Sequence, residues 1–292
     1  MKIIVLGGYG VFGAKLVDLL TRDGHALIVA GRSLEKATAL AAQFGAGALA
    51  VDRSGDLTGL WAASPDAVID AAGPFHAYGA DPYAFARACI AQGVHYLDLA
   101  DDPAFCAGIT ALDAQAKAAG VFAISGVSSV PAISSAAVTA LADGADIDTI
   151  STVILPGNRA PRGRSVVASI LHQCGVDFDV PFDGEKTPMR SWSRPAQFDI
   201  GKGVVRPGWM IEVPDHRLFA DAFGARSVLF RAGLELGVMN WSLAVLSWLR
   251  GFWRFPIPGW LISFLLWVAK LLYPFGTDAG GMSVAVTLRS KG

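Results

Sequence analysis

A glycine-rich turn near the start of the chain constrains the fold more than any other feature. Residues 8–13, Gly-Tyr-Gly-Val-Phe-Gly, fit the pattern Gly-x-Gly-x-x-Gly and follow a short apolar run at residues 2–6. After the turn, residues 11–22 carry apolar side chains at helical spacing. A buried strand, a glycine turn and a helix in this order predict a β-α-β unit, which belongs to a parallel sheet.

Strand and helix signals alternate over the first part of the chain. Further strands are predicted at 26–30, 49–52, 67–71, 95–99 and 121–125, and helices at 34–44, 82–92 and 112–119. The pattern changes near residues 126–131. We therefore expect an α/β fold, with an N-terminal Rossmann domain built on a doubly wound parallel sheet over residues 1–127. Residues 128–292 are predicted to form a C-terminal α+β domain with an apolar helical segment at 237–275.

The composition excludes several classes of protein. Hydrophobic residues make up 53% of the 292 residues and charged residues 17%, whereas disordered chains combine low hydrophobicity with high charge. A formal net charge of −1 gives no indication of nucleic-acid binding. Three cysteines, an odd number, favour reduced thiols in a cytoplasmic protein. The first strand starts directly after Met1, which argues against a secretory signal.

The glycine turn has the chemistry of a dinucleotide-binding site. Gly8 permits a tight turn, Gly10 allows a pyrophosphate to approach the backbone, and Gly13 allows the helix to pack against the strand. The N-terminus of the helix offers free N–H donors to the pyrophosphate. The alternative is a glycine-rich turn that binds no ligand.

The residues after the second predicted strand favour NADP over NAD. An NAD site places Asp or Glu here to bind the ribose 2′-hydroxyl, but this chain has Gly31 and Arg32, followed by Ser33. A guanidinium group binds a 2′-phosphate through paired hydrogen bonds. The alternative is that Arg32 is an ordinary surface cation and Glu35 contacts the ribose. The expected cofactor contacts are Gly8, Tyr9, Gly10, Val11, Phe12, Gly13, Gly31, Arg32, Ser33, Asp52, Ala72, Gly73 and Pro74.

Seven stretches of the sequence resemble one known family. The stretches at 7–13, 71–75, 95–101 and 125–131 resemble the saccharopine dehydrogenase/reductase-like family, and those at 156–163, 230–235 and 274–282 resemble its bacterial oxidoreductase branch. The resemblance covers nearly the whole chain. It implies a Rossmann domain, a second α+β domain over the nicotinamide that binds substrate and mediates dimerisation, and a homodimer. It does not fix a substrate.

Proton transfer needs a side chain near the carboxyl ends of the strands. The Tyr-x-x-x-Lys pair of short-chain dehydrogenases is absent. His76 and Tyr78 follow the fourth predicted strand and Asp98 ends the fifth, so these three are the catalytic candidates. The alternatives are a solvated loop for His76, and N-capping by Asp98 or Asp101 of a helix that starts at Pro103.

Substrate contacts are expected from Ser128, Asn158 and Arg162. Asn158 and Arg162 lie in an Arg-rich turn whose guanidinium groups suit a carboxylate, and they suit a solvated loop or dimer ion pairs equally well. We also expect Arg231 to need a buried partner, with Glu235 four residues on as the predicted one. The spacing of His, Cys and acidic residues predicts no metal site.

The apolar segment at 237–275 permits two interpretations. It contains no acidic residue, and Trp253, Trp260 and Trp267 recur every seven residues. Its uncharged runs are too short for the roughly 18–20 residues of a membrane-spanning helix. The segment is either a buried or dimer-forming helical pair, or a peripheral membrane contact with Trp at the interface and cations towards anionic lipid.

The sequence as a whole predicts an NADP-dependent oxidoreductase. The expected substrate is a small molecule, namely an imine, a carbonyl compound or an amino-acid derivative, and no nucleic-acid partner is expected. The alternative is a non-catalytic NADP-binding or sensor protein, because a fold alone does not determine a function.

Overall fold

The computed structural model describes residues 1–201 and 203–289 of the chain. The chain divides into two compact units, Met1–Ser128 and Ser129–Gly292. We call them unit 1 and unit 2. Ser128, which we assigned to the second domain, is the last residue of unit 1.

Unit 1 contains a six-stranded parallel sheet. Its strands are β1 (Lys2–Leu6), β2 (Ala26–Gly31), β3 (Gly47–Ala50), β4 (Ala67–Asp70), β5 (His95–Asp98) and β6 (Ala123–Ile124). Their order is β3-β2-β1-β4-β5-β6, and every neighbouring pair is parallel. The direction of strand order reverses between β1 and β4, which is where ligands bind in open sheets of this kind. The predicted Rossmann fold is confirmed.

The central strands of unit 1, β1, β2 and β4, are largely buried, with helices on both faces of the sheet. Its helices are α1 (Val11–Arg22), α2 (Leu34–Phe44), α3 (Thr58–Ala62), α4 (Ala84–Ala91), α5 (Pro103–Gly108) and α6 (Asp113–Ala118). Ile4 and Leu6 belong to the core that contains residues of α4. Ile3 and Val5 belong to the core that contains residues of α1 and α2. Cover on both faces explains why these strands read as continuous apolar runs in the sequence.

Unit 2 contains a mixed sheet with helices, so the predicted α+β class is also confirmed. Its elements are α7 (Ser134–Ala142), β7 (Ile147–Leu155), α8 (Arg164–Gln173), β8 (Asp177–Phe182), β9 (Glu185–Arg190), β10 (Ser193–Asp199), β11 (Val205–Met210), α9 (Pro214–Phe223), β12 (Ser227–Ala232), α10 (Gly237–Phe252), α11 (Gly259–Leu271) and β13 (Gly281–Leu288). The five-stranded order is β10-β11-β12-β7-β13, and β8 pairs with β9. Helices α7 and α9 cover one face of the larger sheet, where Ile150 and Val228 are buried.

The apolar segment at 237–275 forms α10, α11 and a short 3-10 turn, Tyr273–Phe275. Helix α10 buries Asn240, Leu243 and Ser247, whereas α11 buries none of its residues. Within residues 1–201 and 203–289, no helix combines the length and the apolar character needed to cross a membrane.

Glu235, which follows β12, connects several loops of unit 2. Its Oε2 accepts hydrogen bonds from the backbone N–H groups of Asn158 at 2.6 Å and Thr277 at 2.8 Å. Its Oε1 accepts from the Thr277 hydroxyl at 2.6 Å and the Arg206 guanidinium at 2.9 Å. Burial acts to raise the pKa of Glu235, but these hydrogen bonds and the charge of Arg206 outweigh it and lower the pKa to about 2. The predicted pairing with Arg231 is wrong because residues 227–232 form a strand rather than a helix.

Glu235→Gln removes the charge while keeping the shape, and we expect it to lower the free energy of unfolding by about 2–4 kcal/mol. Glu212→Gln is the matched control, because Glu212 pairs with Arg217 near the surface and such pairs contribute about 0–1 kcal/mol. Urea unfolding monitored by circular dichroism measures both. Equal losses in the two variants would remove the special role of Glu235.

The same carboxylate makes the stability of the chain depend on pH in acid. Its pKa in the folded chain, about 2, is below the ordinary 4.5. Its contribution to the free energy of unfolding is therefore complete above pH 4.5 and is lost as the pH falls towards 2. The stability difference between wild type and Glu235→Gln should therefore shrink over this range.

Candidate cofactor-binding site

The turn between β1 and α1 depends on Gly7. Its φ of +72° lies in the left-handed region, which glycine adopts without steric cost. A side chain at Gly7 would come within 2.8 Å of the Ala71 carbonyl group and 2.7 Å of the Ala72 Cα. We assigned the tight turn to Gly8, and the structure corrects this, because Gly8 instead lies against the Val5 carbonyl oxygen. The adjacent pair of glycines was the available sequence signal.

The N-terminus of α1 is open to an anion. Gly10 precedes the helix, and among the described residues no side chain caps it. Ser33 caps α2 by accepting a hydrogen bond from the Lys36 N–H, and Asp102 caps α5 by accepting one from the Phe105 N–H. Helices α3, α4 and α6 also lack a side-chain cap, but only α1 follows the glycine turn. The first N–H groups of α1, contributed by Val11, Phe12 and Gly13, therefore point to an anion-binding role.

Gly13 fixes the position of this helix end. A side chain there would collide with the backbone of Gly7 and would come within 2.8 Å of the Gly8 Cα. The helix thus starts in direct backbone contact with the turn. This agrees with the close packing that we expected of the third glycine.

Tyr9 connects the glycine turn with the end of β2. Its ring covers Gly31, where an added Cβ would lie 2.6 Å from the ring. Its hydroxyl oxygen accepts a hydrogen bond from the Ser33 N–H at 3.1 Å. Arg32 is exposed between these two residues. Position 31 thus has no room for any side chain while Tyr9 keeps this place.

Asp52 lies beyond the end of β3, next to the end of β2. Its Oδ1 accepts hydrogen bonds from the Ser54 hydroxyl at 2.7 Å and the Ser54 N–H at 3.0 Å. These two hydrogen bonds lower the pKa of Asp52, and the charges of Arg32 and Arg53 lower it further. The ends of β2 and β3 therefore place an ionised carboxylate within electrostatic reach of Arg32.

The loop after β4 contains Ala72, Gly73 and Pro74 and is held by Asp70. The Asp70 Oδ1 accepts the Ala72 N–H at 2.9 Å, and its Oδ2 accepts the Tyr78 hydroxyl at 3.0 Å. Burial raises the pKa of Asp70 to about 6, although both hydrogen bonds act to lower it. Asp70 was not among the residues that we predicted from the sequence; a carboxylate in the apolar run Ala-Val-Ile-Asp-Ala was the available signal.

Tyr78 lies in an aromatic cluster against this loop. Its ring centroid is 4.8 Å from that of Phe75 and 5.4 Å from that of Phe105, and the Arg53 guanidinium lies over its ring. Burial, followed by the charge of Asp70, raises the pKa of Tyr78 well above its ordinary value. The hydroxyl therefore stays protonated and donates to Asp70, which gives Tyr78 a positioning role.

Asp98 joins the ends of β5 and β6. It is buried, and its Oδ1 accepts hydrogen bonds from the Ser125 hydroxyl at 2.8 Å and from the N–H groups of Ala100 and Gly126, both at 2.9 Å. Burial raises its pKa. Neither Asp98 nor Asp101 caps α5, because the cap is Asp102.

His76 lies in the 3-10 turn Phe75–Ala77 and is half-buried. Burial lowers the pKa of His76 below its ordinary value of 6.5, and the charge of Asp102 partly opposes this effect. The imidazole is therefore uncharged at neutral pH, which is the form that accepts a proton.

The three expected substrate residues have backbone or internal contacts. In unit 1 the N–H of Ser128 donates to the Gly126 carbonyl at 2.7 Å. In unit 2 Asn158 is buried, its Nδ2 donates to the Leu272 carbonyl at 2.8 Å, and its Oδ1 accepts from Arg162 at 3.1 Å. The contacts of Asn158 and Arg162 fix the loop that follows β7.

Comparison with known proteins agrees with this geometry. Residues 3–124 match the family model described as the saccharopine dehydrogenase NADP binding domain. A search of curated proteins gave no match.

Two solved structures are among those that match this chain. Apo saccharopine dehydrogenase (L-Glu forming) from Saccharomyces cerevisiae matches with a TM-score of 0.59 and 19% identity, over 79% of this chain and 54% of that chain. UDP-N-acetylglucosamine 3-dehydrogenase GnnA from Acidithiobacillus ferrooxidans matches with a TM-score of 0.41 and 15% identity, over 80% of this chain and 66% of that one.

The chain spans about half the length of the yeast enzyme, and that likeness shows a shared fold. The family model covers nearly all of unit 1, including the glycine turn and the ends of all six strands. Residues 3–124 of the chain are therefore similar to the saccharopine dehydrogenase NADP binding domain.

Proposed function

We propose that the chain is an NADP-dependent oxidoreductase that transfers hydride to or from an imine, a carbonyl compound or an amino-acid derivative. The observation that carries the proposal is the uncapped N-terminus of α1, placed by the glycine turn at the reversal of strand order between β1 and β4. When bound there, the dinucleotide supplies the hydride chemistry. The chain itself has to bind, orient and transfer a proton.

The donors present fit the two charged parts of NADP. Backbone N–H groups of Val11, Phe12 and Gly13 suit the pyrophosphate. Arg32 at the end of β2 suits the 2′-phosphate, since a guanidinium group forms paired, charge-assisted hydrogen bonds with phosphate oxygens. Ser33 caps α2 with its oxygen, so its hydroxyl hydrogen is available as one more donor.

The preference for NADP over NAD is supported by the contact between Tyr9 and Gly31. An NAD site needs an acidic side chain near this position, and the Tyr9 ring occupies the space that such a side chain would fill. Position 31 thus has no acceptor for a free 2′-hydroxyl, and the next residue, Arg32, is a cation.

Proton transfer is assigned to His76. It follows the loop Ala72–Gly73–Pro74 that leaves β4, and its uncharged form suits the acceptance of a proton during substrate oxidation. Tyr78 and Asp98 are tied to buried partners, which favours structural roles for both. A substrate derived from an amino acid is supported by the similarity of residues 3–124 to the saccharopine dehydrogenase NADP binding domain.

The direct test combines binding with turnover. NADPH fluorescence titration and NADPH consumption should be measured on the full chain with a panel of oxo acids, aldehydes and amines. We expect binding together with turnover of at least one class. Binding without turnover across the panel would favour an NADP sensor, and absence of binding would overturn the proposal.

Arg32→Ala should weaken NADPH binding about 10- to 100-fold, because it removes charge-assisted hydrogen bonds worth roughly 1.5–3 kcal/mol. The affinity for NADH should not change. Lys36→Ala removes another exposed cation, four residues further along, and should leave both dissociation constants unchanged. If the ratio of the NADPH and NADH dissociation constants is unchanged in Arg32→Ala, the role of Arg32 is contradicted.

Gly31→Asp and Tyr9→Gly should be strongly coupled. Gly31→Asp alone displaces the Tyr9 ring and should weaken the binding of both dinucleotides. In the double variant the space is free, so the new carboxylate reaches the ribose and NADH affinity recovers. A double-mutant cycle on the NADH dissociation constants measures this coupling. Additive effects of the two changes would show that Tyr9 does not control position 31.

His76→Gln should lower kcat by about 10²- to 10⁴-fold, the usual loss for a general acid or base, with little change in NADPH affinity. In the direction of substrate oxidation, the wild-type rate should rise with pH, with a midpoint below 6.5. This rise should be absent in the variant. His25→Gln is the control, because His25 precedes β2 at the opposite edge of the sheet. Full activity in His76→Gln would assign proton transfer to another group.

A further inference from the structure

Unit 2 exposes an apolar surface formed by α10, α11 and the turn after them. We call it the hairpin surface and define it as the exposed side chains within residues 237–275. On α10, Trp241, Val245, Trp248 and Phe252 are exposed at spacings of three and four residues. This spacing places them on one face of the helix. The opposite face of α10 is buried within unit 2, where Leu243 joins a hydrophobic core.

Helix α11 continues this surface. Trp260, Phe264, Trp267 and Leu271 are exposed, again at spacings of three and four residues. The connection between the two helices carries Trp253, the most exposed aromatic residue of the surface at 81%. Helices that are apolar on all sides are found in protein cores or in lipid, yet α11 buries none of its residues.

The exposed side chains of the hairpin surface have a large apolar area when taken together. With about 150–250 Å² for each aromatic side chain, the exposed fractions amount to on the order of 1,500 Å². The largest patch on a typical monomer is about 300–600 Å². A surface of this size marks an interaction site.

The charges of the hairpin surface have one sign. Residues 237–275 contain Arg250, Arg254 and Lys270 and no acidic residue. Arg254 and Lys270 are exposed. Arg164 adds a further cation next to α11, because its guanidinium donates to the Ser263 hydroxyl at 2.7 Å and to the Gly259 carbonyl at 3.0 Å.

A groove of about 450 Å³ borders the hairpin surface along α10. Its lining includes Trp248 of α10, together with Arg190, Asp177 and Arg194. Arg190 pairs with Asp177 at 2.8 Å, whereas Arg194 is exposed. An exposed guanidinium group beside an apolar face suits an anionic headgroup.

These charges argue against a second copy of the chain as the occupant. A two-fold symmetric interface places a surface against itself. Two copies of a cationic surface without acidic residues would therefore repel each other, because electrostatic complementarity requires opposite charges across an interface. An anionic lipid surface offers both the apolar phase and the opposite charge.

We propose that the hairpin surface docks the chain on an anionic membrane surface. The two helices lie in the plane of the interface, with the apolar side chains in the outer hydrocarbon region and Trp at the headgroup level. Arg254, Lys270 and Arg194 face the lipid phosphates. The proposal is independent of the dinucleotide site, so a failure of either does not affect the other.

The test is flotation of the full chain with phosphatidylcholine vesicles, with and without phosphatidylglycerol. We expect binding to the vesicles that contain phosphatidylglycerol, a weaker association with pure phosphatidylcholine, and loss of the difference at high salt. Tryptophan emission should shift to shorter wavelength on binding, since five of the eight Trp lie in residues 237–275.

Two double variants separate the apolar from the electrostatic contribution. Trp253→Ala with Trp260→Ala should reduce partitioning to both kinds of vesicle by more than about tenfold. Arg254→Gln with Lys270→Gln should reduce only the phosphatidylglycerol-dependent part, by roughly 30-fold, since each cation contributes about 1 kcal/mol. Leu141→Ala and Lys15→Gln, which change exposed residues elsewhere, are the controls and should bind like wild type.

Three results would overturn the proposal. The first is that the folded wild-type chain does not bind vesicles that contain phosphatidylglycerol. The second is equal loss of binding in the control variants. The third is a stable dimer in light scattering that dissociates in the Trp double variant, which would assign the surface to a second copy.

Discussion

Backbone contact between the turn after β1 and the end of β4 is the constraint on which unit 1 depends. The two strands are neighbours at the reversal of strand order, so their turns leave the same edge of the sheet side by side. Gly7 makes this contact possible because any side chain there would meet the Ala71 carbonyl within 2.8 Å. Gly13 then brings α1 against the turn. The direction in which α1 presents its uncapped N–H groups follows from these two contacts.

Carboxylates fix the loops that surround this contact, and their pKa values differ for physical reasons. Asp70 and Asp98 each accept N–H groups at the end of a buried strand, and burial dominates, so the pKa of both is raised. Glu235 plays a similar part in unit 2, but its hydrogen bonds and the charge of Arg206 outweigh burial and lower its pKa. Carboxylates thus order loops in both units. Their contributions to folding stability change with pH in opposite directions, because the pKa is raised in unit 1 and lowered in unit 2.

The sequence predicts the fold well and the site in part. Strands buried on both faces produce the apolar runs from which the parallel sheet was predicted, and the glycine pattern marks the start of α1. The roles of Gly7 and Asp70 were missed because they depend on neighbours in space. Asn158 bonds to Leu272, which is 114 residues away, and no local pattern indicates such a contact. The expected pair of Arg231 and Glu235 was wrong because it assumed a helix where the chain forms β12.

The central claim is that the end of α1 and the end of β2 together bind NADP. A crystal structure of the chain with NADPH tests it most directly. We expect the pyrophosphate on the N–H groups of Val11, Phe12 and Gly13, the 2′-phosphate against Arg32, and the nicotinamide beside the loop after β4. A dinucleotide bound elsewhere, or a 2′-phosphate directed away from Arg32, would contradict it.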